Sequence, residues 1–233
     1  AGVMVALQVF ITHDLGTMFV LVALVGGALW VAGLPLRYFA ALALTVVPVV
    51  AFFLTQGSTR MNRIMAMLQG AEADVTGVGL QAHQSLAALG TGGVSGVGLG
   101  GSRTKWLYLP EAHNDFIFAI IGEELGLLGT LLVLALFVLL LVGLWRVVQR
   151  HPSPFVQITT GAVAAWIGFQ ALVNIGVVIG LVPVLGVPLP LISSGGSSLI
   201  ATLLALGFVL AFARDEPGAA EVLRSRRSAA RRT

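Results

Sequence analysis

Cysteine is absent from the 233 residues, which excludes a disulfide framework, a thiolate metal site and a cysteine nucleophile. Charge is scarce too. Only 10% of residues are Asp, Glu, Lys or Arg, against 57% hydrophobic, and mean hydropathy is +0.97. Soluble domains carry roughly a quarter charged residues, so this chain has too few to cover a water-facing surface, and a bilayer is its natural solvent. The net charge is only +3 despite a pI near 10.2. Much of the basic excess is a tail holding Arg224, Arg226, Arg227, Arg231 and Arg232. The aromatic-interleaved basic patches of a nucleic-acid binder are missing. So are a Gly-Lys-Ser/Thr phosphate loop, a Ser-His-Asp set and a His/Asp/Glu cluster with metal-ligand spacing. No metal site and no nucleic-acid partner are expected.

What remains is long apolar runs. Five are expected to span the membrane: 15–34, 38–54, 116–145, 155–182 and 197–213. Without alternating strands they must be helical, because backbone groups in lipid need internal partners. Residues 1–12 are apolar but too short to cross, and read as the end of a sixth span. The expectation is an all-α polytopic transmembrane helical bundle, one domain over 1–214, followed by a basic cytoplasmic tail, 215–233, expected to be disordered. Arg37, Arg146, Arg150 and the tail fall on one side if the spans alternate, and positive charge marks that side as cytoplasmic. A loop of about 55–114 is then extracytoplasmic.

That loop is long enough to be functional or disordered. Residues 80–89 suit an amphipathic helix at the interface. The glycine-rich run 90–101 suits either a phosphate cradle of backbone N–H groups or a flexible connector. Arg103 and Lys105 suit an anionic head group, with Trp106 and Tyr108 as interfacial anchors. Asn114 can cap the next helix, and Asp115 either serves the helix dipole or accepts a proton. Glu123 and Glu124 lie about two turns further, where ionisable groups usually face the protein interior. At 100° per residue Glu123 is offset by about 80° from Asp115 and Glu124 points opposite, so at least one glutamate is structural. His113 suits a hydrogen-bonding role better than proton transfer.

The stretch from Lys105 to Gly126 contains Leu-Pro-Glu-Ala-His-Asn-Asp and Gly-Glu-Glu-Leu-Gly. It resembles the signature of the SEDS family (shape, elongation, division and sporulation proteins: FtsW, RodA, SpoVE). Asp14-Leu-Gly-Thr17, the Gln170 to Gly180 stretch with Asn174, and Pro188-Leu-Pro-Leu-Ile-Ser-Ser-Gly-Gly-Ser-Ser198 resemble further elements of that family. Glu-Ala-His and Ala213-Arg-Asp-Glu-Pro217 lean toward its division branch. His13, Asn114 and Ser194 depart from the family's usual residues.

The resemblance implies a ten-helix fold of which this is the last half. It implies a glycosyltransferase that polymerises lipid II, leaving an undecaprenyl diphosphate-linked glycan. A class B penicillin-binding protein (a transpeptidase) and other divisome proteins are the implied partners. Asp115 falls on the essential aspartate, as the general base of an inverting displacement. Lys105, Arg63 and Arg60 would face the diphosphate, with a divalent cation able to share that task, and Gln84 and Ser193 would bind substrate. Glu123, Glu124, His113, Gly195 and Gly196 are motif residues with structural roles. A flippase for the same lipid, or a scaffold for division proteins, are the competing expectations. The chain alone is expected to be inactive.

Overall fold

A computed structural model describes residues 15–41, 44, 78–102 and 114–215. Five helices are named here in chain order: α1 Leu15–Val31, α2 Val78–Gly92, α3 Ile117–Arg150, α4 Pro154–Val178 and α5 Gly196–Arg214. No strand occurs among the described residues. The helices α3, α4 and α5 are long and apolar enough to cross a membrane, while α1 is a shorter apolar helix. The expected spans at 116–145, 155–182 and 197–213 thus appear, with ends shifted by a few residues, while 15–34 appears as a 17-residue apolar helix, shorter than a full span. The expected span 38–54 lies largely outside the described residues, as do residues 1–12 and the tail from 216.

The centre of the bundle is α4, which packs against α1, α2, α3 and α5. Over its most apolar stretch 56% of residues are buried, against 22% in α3 and 11% in α5, so among the described residues those two have the larger uncovered apolar faces. Small residues bring α1 and α4 together. A Cβ on Gly27 would sit 2.2 Å from the Ala165 Cβ, and one on Gly161 would sit 2.4 Å from Val31 Cγ2. Lipid gives helices little hydrophobic reason to associate, so close backbone approach through small residues supplies the packing instead.

The 34-residue helix α3 is broken. Gly126 has φ 66° and ψ −161°, so 117–125 and 127–150 are two rods. In an unbroken helix Leu127 N–H would donate to Glu123 O and Leu128 N–H to Glu124 O. Here the glycine-rich segment after α2 takes those places. Leu127 N–H donates to Gly93 O (2.9 Å) and Leu128 N–H to Val94 O (3.3 Å). In return Val97 N–H donates to Glu123 O (2.9 Å) and Gly98 N–H to Glu124 O (3.1 Å). All four backbone groups freed by the break find partners, as burial away from water requires. The glycines permit the approach: a Cβ on Gly92 would lie 1.9 Å from Gly122 O, and one on Gly96 (φ +79°) 2.1 Å from Glu124 O.

This corrects both expectations for the run 90–101. It is neither a loose connector nor a phosphate cradle, because the N–H groups of Gly96, Val97, Gly98 and Gly101 are already bonded to backbone carbonyls. A side-chain clamp closes the same joint. Ser102, fully buried, donates its hydroxyl to Glu123 Oε2 at 2.5 Å. Glu123 is 4% exposed, and this bond accounts for part of its burial. Glu123 thus takes part in closing the joint.

Two stability outcomes follow for the full-length protein in detergent. Gly92→Ala forces a methyl into backbone and costs at least about 1–3 kcal/mol, whereas Gly90→Ala, with open space around it, is neutral or gains up to about 1 kcal/mol; thermal melting compares them. Ser102→Ala and Glu123→Ala each destabilise by about 1–3 kcal/mol. A double-mutant cycle should return a coupling of about 1 kcal/mol or more. Strict additivity would show that the Ser102–Glu123 bond contributes nothing.

Candidate functional site

The segment between α4 and α5, residues 179–195, does not stay at the end of the bundle. Leu181 and Val182 N–H both donate to Gly176 O, turning the chain back along α4. Val187 O then accepts from Asn174 Nδ2 (2.8 Å) and Pro188 O from Gln170 Nε2 (2.8 Å). Gln170 lies eight residues before the end of α4, about 12 Å along its axis. The segment is therefore re-entrant. Non-helical backbone at such depth is tolerated only where protein or a cavity surrounds it. Gln170 and Asn174, spaced i and i+4 on one face of α4, supply its hydrogen-bond donors. Trp166 Nε1–H donates to Gln170 Oε1 (2.7 Å), which fixes the glutamine's orientation.

At the bottom of the re-entrant segment Leu191 has φ 65°, an uncommon conformation for a residue with a side chain. It reverses the chain after Pro190, so that Leu189 N–H can donate to Ser193 Oγ (2.8 Å). Ser193 in turn donates to Asn114 O (2.6 Å), and Ser194 Oγ donates to Asn114 Oδ1 (2.5 Å). Asn114 therefore does not cap α3. The residue before that helix is Phe116, which has no side-chain capping bond, and the Asn114 side chain is turned to the re-entrant segment. Asp115 O accepts from Asn174 Nδ2 (2.8 Å). The Asp115 carboxylate faces the re-entrant segment, with Oδ2 3.7 Å from where a Cβ on Gly186 would stand.

Gly186 and Pro188 also border a cleft of about 200 Å³ shared with Gly16, Thr17, Gln170 and Ser198. The start of α1, the polar face of α4 and the re-entrant segment thus share one cleft, and Asp115 at the start of α3 is joined to them through Asn174 and Gly186. Gly195 ends the re-entrant segment in an extended conformation, and Gly196 opens α5. Of the other expected site residues, Gln84 is half-buried on α2, and its Oε1 has no hydrogen-bond partner among the described residues. Its neighbour Ser85 donates to Val178 O (3.1 Å) and ties α2 to the end of α4. Glu124 is half-buried and engaged in contacts of its own. Arg60, Arg63, Lys105 and His113 lie outside the described residues.

Sequence reasoning on single residues gave no role to Asn174, Gln170, Ser194 or Gly186. The signal that could have found the first two was present, since uncharged amides at i and i+4 inside an apolar span need a partner. Among the described residues no group of three or more His, Asp or Glu is close enough to hold a metal ion.

A profile of cell cycle proteins of the FtsW, RodA and SpoVE type matches residues 1–217. The chain is 45% identical over 224 residues to a Mycobacterium tuberculosis protein named probable peptidoglycan glycosyltransferase FtsW, covering 96% of this chain and 43% of that one. A protein of the same name from Thiomicrospira cyclica is 41% identical over 212 residues, covering 90% and 54%. Among solved structures, a chain from work described as "Structural coordination of polymerization and crosslinking by a peptidoglycan synthase complex" superposes with a TM-score of 0.73. It is 30% identical, over 92% of this chain and 60% of that one. The chain spans about half the length of the curated relatives it matches. The family match and the apolar helices make it a multi-pass bacterial membrane protein. The chain belongs to the SEDS family, the cell cycle proteins grouped with FtsW, RodA and SpoVE.

Proposed function

We propose that the protein is a peptidoglycan glycosyltransferase that polymerises lipid II during cell division, with Asp115 as general base. The observation that carries this reading is the setting of Asp115. It opens a membrane helix, and the backbone of residues 114 and 115 is held by side chains from α4 and the re-entrant segment. That is the pre-organisation a base requires. The names of the relatives support the same activity.

The chemistry balances with one base. The attacking hydroxyl of the acceptor sugar gives its proton to the Asp115 carboxylate as its oxygen bonds to the anomeric carbon of the donor. The bond from that carbon to the lipid diphosphate breaks, and the diphosphate leaves as an anion with inversion at carbon. Such a leaving group needs charge neutralisation more than a proton, so the paired carboxylates of a glycosidase are unnecessary. Lys105, Arg63 and Arg60 are the cations assigned to it, with Gln84 at the sugars; the Ser193 hydroxyl, expected there as well, is committed to Asn114 O and Leu189 N–H instead. A divalent cation can share the neutralisation, and Asp115 is the acidic group nearest the reacting atoms in this reading.

The orientation follows from the arginines. Arg37, Arg146, Arg150 and the tail face the cytoplasm, and Asp115 faces outward, where the polymer is built. One domain over 1–214 with a basic tail after it fits that layout. A class B penicillin-binding protein is the proposed partner, since cross-linking must follow polymerisation. The comparison structure comes from a peptidoglycan synthase complex, which suits that pairing.

Asp115→Asn in the full-length protein with its partner should lower the rate of polymer formation from purified lipid II by about 10²–10⁴-fold, with melting temperature retained. Polymer formed at the normal rate would sink the assignment of Asp115. Asp115-dependent passage of lipid II across vesicles, without polymer, would point to a flippase instead.

A further inference from the structure

We infer that Asn174 is a positioning residue for Asp115, acting through the backbone; this rests on the reading of Asp115 as the base. The first turn of α3 is the starting point. Ala119 N–H and Ile120 N–H both donate to Phe116 O, at 2.9 and 3.4 Å. Phe116 is the N-cap and its carbonyl takes the first bonds of α3, so the Asp115 carbonyl lies outside the ladder and needs a partner elsewhere. Asn174 takes it. The same amide nitrogen donates to Val187 O, so both its hydrogens are committed.

The two carbonyls it holds have a particular relation. One belongs to the residue that bears the carboxylate. The other belongs to the neighbour of Gly186, whose backbone faces that carboxylate. A single amide therefore fixes both the base and the wall opposite it, and sets the space between them. Ser193 pins the preceding carbonyl, that of Asn114. Two consecutive carbonyls are thus anchored at the turn that aims the Asp115 side chain.

Asn174 is 1% exposed, so both donated bonds lie away from solvent, where each counts for more. The amide cannot be turned over, because that would set its oxygen against two carbonyl oxygens.

A base must lie within hydrogen-bond reach of the proton it takes, and a misplacement of about 1 Å costs on the order of 10²-fold in rate. The test uses the full-length protein with its partner and purified lipid II. Asn174→Asp keeps the shape and removes the donors, and Asn174→Leu removes both polar groups. Each should lower kcat by about 10–100-fold while KM changes by less than about threefold. Ser193→Ala should lower kcat in the same way, and Ser193→Thr, which keeps the hydroxyl, should lower it less. The Asn174→Asp and Ser193→Ala effects should combine to less than their product, because both act on one carboxylate.

Normal kcat in both Asn174 variants, or a raised KM at unchanged kcat, would overturn the inference. So would effects that multiply fully. If the Asn174 variants do not fold, equal losses in Ser193→Ala and Ser193→Thr would overturn it, and a smaller loss in the threonine variant supports it. Asp115→Asn run in parallel keeps the two claims apart. Its full activity would remove the base assignment, whereas the Asn174 outcomes decide only how Asp115 is placed.

Discussion

The fold depends on one constraint: a backbone amide or carbonyl away from water must find its partner inside the protein. Straight helices meet it without help. This chain departs from straight helix at Gly126 and again along 179–195. Each departure exposes backbone groups that the lipid cannot solvate. Each is repaired by a specific partner, and the repairs bring distant stretches of sequence together. At the first, the partner is another piece of backbone, the segment 93–98. At the second, the partners are amide side chains on α4.

The two repairs differ in what they achieve. The backbone exchange at Gly126 makes α2, its following segment and the upper part of α3 one rigid body, closed by the Ser102–Glu123 bond. It divides the 34-residue helix into two rods that are held at a fixed angle. Residues 127–150 alone extend about 36 Å, enough for a hydrocarbon core of about 30 Å. The side-chain repair along α4 draws an irregular segment to the depth of Gln170. The carboxylate of Asp115 then lies beside Gly186, which adds no side chain of its own there. Gly27 and Gly161 let α1 approach α4 closely, and the start of α1 borders the cleft lined by Gly186 and Pro188.

Much of this was legible in the residues. Apolar length gave the spans of α3, α4 and α5, because lipid leaves few alternatives to a helix. The family motif gave Asp115. The break in α3 was not legible, since Gly122, Gly126 and Gly129 look alike in a membrane helix, and only the neighbour at Gly126 decides which one bends. The run 90–101 was misread for the same reason. Its glycines answer to a backbone thirty residues away, which no local pattern announces. Asn114 suited a helix cap by position. It was diverted because Ser193 and Ser194, about eighty residues later, competed for it and won.

The exchange at Gly126 also has a consequence for how the loop can change over time. Loops ordinarily tolerate inserted residues better than their neighbours do. Here the contact is made by carbonyls and amides, so the exposed side chains of Val94, Ser95 and Val97 are free to vary. An inserted or deleted residue between 93 and 98 would put both pairs of bonds out of register at once. The segment is therefore permissive in identity and strict in length, the reverse of an ordinary surface loop.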